Sequence, residues 1–194
     1  GVDASQAMVD AARARISAAA LPHCEVLRAD AQELPLDDDV ADAVRIERTL
    51  QHVEDPAAVV AEAARVLRSG GRLVAWEPDW GTLVVAGAPG EVGATVCARR
   101  AAAFRNRHAG RDLPDLAARA GLDVLGVDAR VHVSRDPSFA EAQFGFVREC
   151  RAAVDERAVD AEAAAEWERD VARRIEGGGY LAGVTGLSVV ASAP

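Results

Sequence analysis

The stretch DAVRIERTLQHVEDPAAVVAEAARVLRSGGRLVAWE, residues 42–77, decides the fold class. Asp42 to Glu47 reads as a short strand. Asp55-Pro56 opens a helix, with Asp at the N-cap and Pro at the first helical position, where its missing N–H costs nothing. That helix carries Val59, Val60, Ala63, Val66 and Leu67 on one side. Ser69-Gly70-Gly71 ends it, because glycine accepts the left-handed backbone that a side chain resists. Arg72 to Glu77 is a second, strongly apolar strand, stopped by Pro78. A strand–helix–strand unit with little alternation inside its strands is the pattern of a parallel sheet buried on both faces.

The same reading extends outward. GVDAS, Gly1 to Ser5, looks like a strand end turning into a helix, with Ser5 as its cap and Met8, Ala12 and Ile16 as its apolar stripe. Cys24 to Ala29 reads as a strand, followed by the polar loop ELPLDDD. The distance from there to Asp42 allows a single helical turn at most. Downstream, Gly81 to Gly90 reads as a loop. Helices are expected at Glu91–Asn106, Asp112–Ala120, Pro137–Val154 and Asp160–Ile175. Strands are expected at Leu122–Val133 and Tyr180–Ser192. The whole is one α/β domain of 194 residues. It divides into three parts, 1–78, 79–111 and 112–194.

Composition narrows the partners. Lys and Arg number 22 against 31 Asp and Glu, a net charge of −9. A phosphate backbone would be repelled, so nucleic acid is not an expected partner. No apolar run is long enough to cross a membrane and no secretory leader is present, so a cytoplasmic setting is expected. Cys24, Cys97 and Cys150 show neither zinc spacing nor a disulfide framework, and read as buried free thiols in a reducing compartment. His23, His52, His108 and His132 fall in no metal-ligand spacing, so no metal is expected.

The chemistry lies in acidic residues at strand ends. In an open α/β sheet, ligands sit outside the carboxyl ends of the strands. Asp3, Asp30, Glu47 and Glu77 each follow or close a strand, and would line one edge. A carboxylate at Asp3 can accept both protons of a ribose diol, and Asp30 can accept from an adenine amino group. Ala31 adds a backbone N–H and a small side chain that lets a ring approach. Either acid can equally cap its own turn or helix.

In order and spacing, GVDAS-x-x-M, RADAQELPL, VADAVRIERTLQHVEDP and RVLRSGGRLVAWEPDW resemble the class I S-adenosylmethionine-dependent methyltransferases. They are closest to the small-molecule branch that includes the quinone-biosynthesis methyltransferases. The resemblance runs from Gly1 to about Glu77 and is loose beyond. It implies a Rossmann-like, mostly parallel sheet whose last strand is antiparallel and inserted between its two neighbours. It also implies S-adenosyl-L-methionine as cofactor and a small-molecule acceptor, with 1–78 as the cofactor side, 79–111 as an acceptor-cover insertion and 112–194 as the C-terminal part of the sheet with its helices. By position, Asp3 and Ala4 resemble the ribose-binding turn, and Met8 the apolar residue on the adenine. Asp30 and Ala31 resemble the adenine-edge pair. Ile46 and Glu47 fall where the fourth strand passes the methionine part. Leu50-Gln51-His52 stands on a segment that often reads Leu-His-His. The family's Gly-rich loop lies upstream of its ribose acid, and this sequence starts at that acid. A truncated domain, lacking the first strand and its Gly-rich loop, is therefore expected.

For the reaction, His52 is the candidate general base, since it follows a strand at the ligand edge and an imidazole titrates near neutrality. It can alternatively pack against or cap the next helix. Glu77, Asp79 and Trp80 either shape the acceptor pocket or form a structural strand exit. Tyr180 and His108 are further acceptor-contact candidates. Val92, Val96, Cys97, Ala103 and Phe104 suit the roof of an apolar pocket, which points to an apolar or aromatic acceptor. A non-catalytic remnant is the rival reading. A nicotinamide-dependent short-chain dehydrogenase would need Tyr-x-x-x-Lys, and Tyr180 has Val184 in the lysine position.

Overall fold

A computed structural model describes residues 1–194. The strands are β1 (Val2–Asp3), β2 (Leu27–Arg28), β3 (Ala41–Glu47), β4 (Leu67–Val85), β5 (Asp123–Ser134) and β6 (Ala182–Ser192). The helices are α1 (Gln6–Ala18), α2 (Pro56–Val66), α3 (Gly90–Ala102), α4 (Ala109–Arg119), α5 (Pro137–Phe144), α6 (Phe146–Asp155) and α7 (Ala161–Glu176). The main sheet has the order β3-β4-β6-β5, and β1 and β2 form a separate pair. β3 runs parallel to β4, while β6 is antiparallel to both β4 and β5. The last strand thus lies inserted between its neighbours and β5 is parallel to β4, as expected of a Rossmann-like methyltransferase sheet.

The βαβ unit forms for the reasons its sequence gives. The Asp55 carboxylate accepts from Ala57 N (2.9 Å) and Ala58 N (3.2 Å), capping α2. Val59, Val60, Ala63 and Val66 are buried along the helix. The first three join Ile46 of β3, Leu73 of β4, Val189 of β6 and Leu113 of α4 in one core under the sheet. A second core fills the space between the end of β4 and the helices beyond it, with Val96, Phe144, Phe146, Cys150, Trp167 and Tyr180 at its centre. Each large apolar side chain buried there contributes about 1.5–3 kcal/mol. No helix is long and apolar enough to cross a membrane.

Several boundaries differ from expectation. α2 ends at Val66, and the chain is extended from Leu67. Gly70 still takes the left-handed backbone (φ 74°), four residues beyond the helix. The first half of the expected loop at 81–90 is strand: β4 continues to Val85 because Val84 and Val85 pair with Gly183 and Ala182. Of Cys24–Ala29 only Leu27 and Arg28 pair, because β1 offers just two residues as partner. The expected helix 137–154 is two, broken at Gly145 (φ 66°). α3 stops at Ala102, short of Asn106. On α1 it is Val9 that is buried, while Met8 is exposed. Ser5 occupies the N-cap position, yet its side chain makes no capping bond.

Candidate active site

Asp3 and Asp30 leave from the carboxyl ends of neighbouring strands. β1 and β2 are parallel, with Asp3 opposite Arg28, and Asp3 O accepts from Ala29 N at 3.2 Å. Asp3 Oδ1 accepts from Ser5 N (2.8 Å), which leaves Oδ2 without a protein partner. Asp30 Oδ1 accepts from Gln32 N (2.9 Å), and Gln32 Nε2 spans both of its oxygens. Ala31 is half-buried against the main core, while Ala4 and Met8 are open to solvent. This donor-hungry edge fits a ribose diol and an adenine amino group, since both carboxylates keep accepting capacity.

On β3, Ile46 is buried opposite Ala75, and Glu47 is exposed and paired with Arg45. Arg48 follows with a left-handed backbone (φ 51°), unusual for a non-glycine residue, and the chain turns sharply. Three side chains hold that turn. Glu77 Oε1 accepts from Thr49 N (2.5 Å) and Leu50 N (2.7 Å). Asn106 Nδ2 donates to Leu50 O and Val53 O, both at 2.8 Å. Trp80 Nε1 donates to Gln51 Oε1 at 2.6 Å. Glu77 is fully buried with Oε2 unpartnered, and burial pushes its carboxyl up to about 7 against the pull of the Leu50 and Thr49 N–H groups.

His52 lies exposed on this turn. Its ring makes no hydrogen bond and sits 5.9 Å from the Phe104 ring. Phe104 stacks on Trp80, and Phe144 meets Trp80 edge-on. The Arg100 guanidinium lies 4.8 Å from the Phe104 ring centre, within cation–π range. Beside this aromatic group, a cavity of about 570 Å³ opens between β4 and α3, with Leu83, Val85, Cys97 and Ala101 on its walls and His108 at its rim. Asp79, almost fully buried, binds His108 Nδ1 at 3.2 Å and pairs with Arg111 Nε. Burial alone would push the Asp79 carboxyl up, but Arg111 and His108 hold it below the usual range.

A second cleft, about 280 Å³, separates β1 from β3. Its lining is apolar, with Val2, Ala31, Val44, Ile46, Val59 and Val66. The two sheets are joined around it by loop contacts. Asp55 N donates to Gln32 Oε1 (2.8 Å), Leu34 N to Glu62 Oε2 (2.7 Å), and Arg65 Nη1 to Leu36 O (2.9 Å). No cluster of three or more His, Cys, Asp or Glu side chains is placed to hold a metal.

The structure gathers Asp3, Ala4, Asp30 and Ala31 at one edge and Ile46, Glu47 and His52 on the next strand and turn. The sequence reading missed the ties across them: Gln51 to Trp80, Asn106 to the turn, and Asp79 to His108. Asp79 and His108 each stood out singly, but their distance along the chain gives no sign that they touch.

Residues 1–75 match the family described as "Methyltransferase domain". A protein of unknown role in a transposon of Streptomyces fradiae is 40% identical over 194 residues, all of this chain and 54% of its own length. A demethylmenaquinone methyltransferase of Bacillus cereus is 32% identical over 84 residues, 43% of this chain and 35% of its own. The crystal structure of a candidate methyltransferase from Bacillus halodurans C-125 superposes with a TM-score of 0.67 over all of this chain and 81% of its own, at 17% identity, a likeness of fold. The chain spans about half the length of the curated relative that it matches from end to end.

Proposed function

We propose that this protein transfers a methyl group from S-adenosylmethionine to a small apolar or aromatic acceptor. The observation that carries this reading is the pair of part-free carboxylates, Asp3 and Asp30, at the carboxyl ends of paired parallel strands, within the residues 1–75 that match a methyltransferase domain family. In this reading Asp3 and Ala4 hold the ribose, and Met8, Asp30 and Ala31 the adenine. Ile46 and Glu47 flank the methionine part. The cofactor supplies a methyl group already activated by a positive sulfur, so the protein chiefly positions and desolvates the reactants. The unpaired cysteines support a reducing compartment such as the cytoplasm.

The apolar cleft between β1 and β3 belongs to the same reading. A strand laid there would pair with both edges, cover Val44 and Ile46, and bring a backbone loop to the methionine end. We therefore read the site as one that works with such a strand in place. The test is calorimetric titration with S-adenosylhomocysteine of this chain and of the same chain extended upstream by a strand and its loop. Binding by the extended chain, at least tenfold tighter than by the shorter one, is expected. No binding by either would favour a non-catalytic, partner-binding role.

A further inference from the structure

The best-oriented imidazole in the molecule is not His52. His108 Nδ1 faces the buried Asp79 carboxylate at 3.2 Å, and Arg107 Nε donates to His108 Nε2 at 3.1 Å. An arginine Nε can only donate, so Nε2 is the accepting nitrogen and the ring proton sits on Nδ1, donated to Asp79. The ring is also held sideways. A Cβ at Gly81 would lie 2.6 Å from His108 Cε1, so the missing side chain is what lets the ring lie there. His108 occupies the N-cap position of α4, yet its side chain makes no capping bond. Its one accepting nitrogen is therefore engaged only by the exposed Arg107, at the rim of the apolar cavity of about 570 Å³.

We propose that His108, oriented by Asp79, is the base that takes the proton from an acidic hydroxyl, a phenol or enol, seated in the cavity between β4 and α3. This rests on the methyl-transfer reading and names its acceptor class. The volume suits a small ring system. Leu83, Val85, Cys97 and Ala101 offer apolar walls, and the hydroxyl replaces the Arg107 N–H on Nε2. Arg107 stays beside the oxygen, where its positive charge favours the ionised form. The O–H bond breaks and its proton passes to His108 Nε2. The oxygen lone pair then forms the new bond to the sulfonium methyl, and the old C–S pair returns to sulfur, leaving a neutral thioether, a methyl ether and a protonated imidazole. Asp79 stabilises that imidazolium without itself taking the proton. Facing the ring are Asp79 from β4, Arg107 from its own loop and Arg111 from α4. Asp55, Arg105 and Asp112 line the smaller cavity that His108 also borders.

The probe is 4-nitrophenol, whose phenolate absorbs visibly, added to the protein without any methyl donor. The bound phenol is expected to ionise at lower pH than the free one, by about tenfold or more in its ionisation constant, the scale of one opposite charge at close range. His108→Gln, which can still donate to Asp79 but takes no proton, is expected to bind the phenol and lose most of the shift. His108→Phe should do the same, and His52→Gln should keep the shift; thermal melting checks that each variant is folded. A shift that persists in folded His108→Gln, one lost in His52→Gln instead, or no phenol binding at all overturns the proposal. Failure of the upstream-extended chain to bind S-adenosylhomocysteine would count against the methyl-transfer reading alone, whereas an unshifted titration counts against His108 alone.

Discussion

The indole of Trp80 lies flat on the ring of Phe104, with centroids 3.9 Å apart and planes within 6°. The same indole donates to the buried amide oxygen of Gln51. One side chain thereby ties the middle of β4 both to the segment after α3 and to the turn after β3. Trp80→Phe keeps a stackable ring but leaves the Gln51 oxygen without its donor. An unsatisfied buried acceptor costs about 1–3 kcal/mol, so urea unfolding should show a loss in that range. An unchanged midpoint would mean that the turn is held by Glu77 and Asn106 alone.

Glu77 predicts a pH dependence. Its folded value, about 7, lies above the ordinary 4.5. The folded state therefore holds this proton more tightly than the unfolded chain does. The stability it contributes is fully present below about 4.5 and is lost as pH rises through about 7. Glu77→Gln keeps an oxygen for Thr49 and Leu50 but does not titrate. Between pH 4.5 and 7 the natural protein should lose about 1–3 kcal/mol relative to the variant. Parallel stability curves for the two proteins would show that the carboxyl is ionised throughout.

Gly110 sits where α4 crosses β4. A Cβ there would lie 2.7 Å from Glu77 O and 3.0 Å from Asp79 N, both backbone atoms that cannot swing aside. Gly110→Ala should force the helix off the strand and cost about 1–3 kcal/mol, despite alanine's better helix propensity. A gain in melting temperature would show that the helix slides without penalty.

Asp3 tests the adenosine edge. In the chain extended upstream, Asp3→Ala should weaken S-adenosylhomocysteine binding by about 1.5–3 kcal/mol, the range for hydrogen bonds to a charged group. Because Asp3 also accepts from Ser5 N, Asp3→Asn serves as the control that keeps this turn bond. Equal dissociation constants for all three proteins would remove Asp3 from the site.

Local features of the fold were legible because local chemistry decides them. Asp55-Pro56 caps α2 as read, and the apolar runs at 42–47 and 72–77 pair in parallel. Non-local pairing was not legible. Thr82 and Gly81 look like loop, yet β4 continues because β6 supplies Gly183 and Ala182 as partners. FGF at 144–146 reads as a continuous apolar helix, and only the left-handed Gly145 reveals the break. The order of β4, β6 and β5 came from the resemblance, not from periodicity. In the site, the acids at strand ends were visible because each follows its own strand. The bonds of Asp79 to His108 and of Trp80 to Gln51 were not, because they form only when distant segments meet.

The placement of β6 between β4 and β5 bears on how the chain folds as it is made. Both neighbours leave the ribosome well before residues 182–192, and until those residues arrive each presents a bare row of amides and carbonyls. Edges of that kind attract other chains. The interval between synthesis of Ser134 and of Ser192 is thus the period when the nascent protein most needs shielding, and α5, α6 and α7, translated within it, lengthen that wait. Slowing elongation there, with rare codons for example, should raise co-translational aggregation without changing a single residue of the finished molecule.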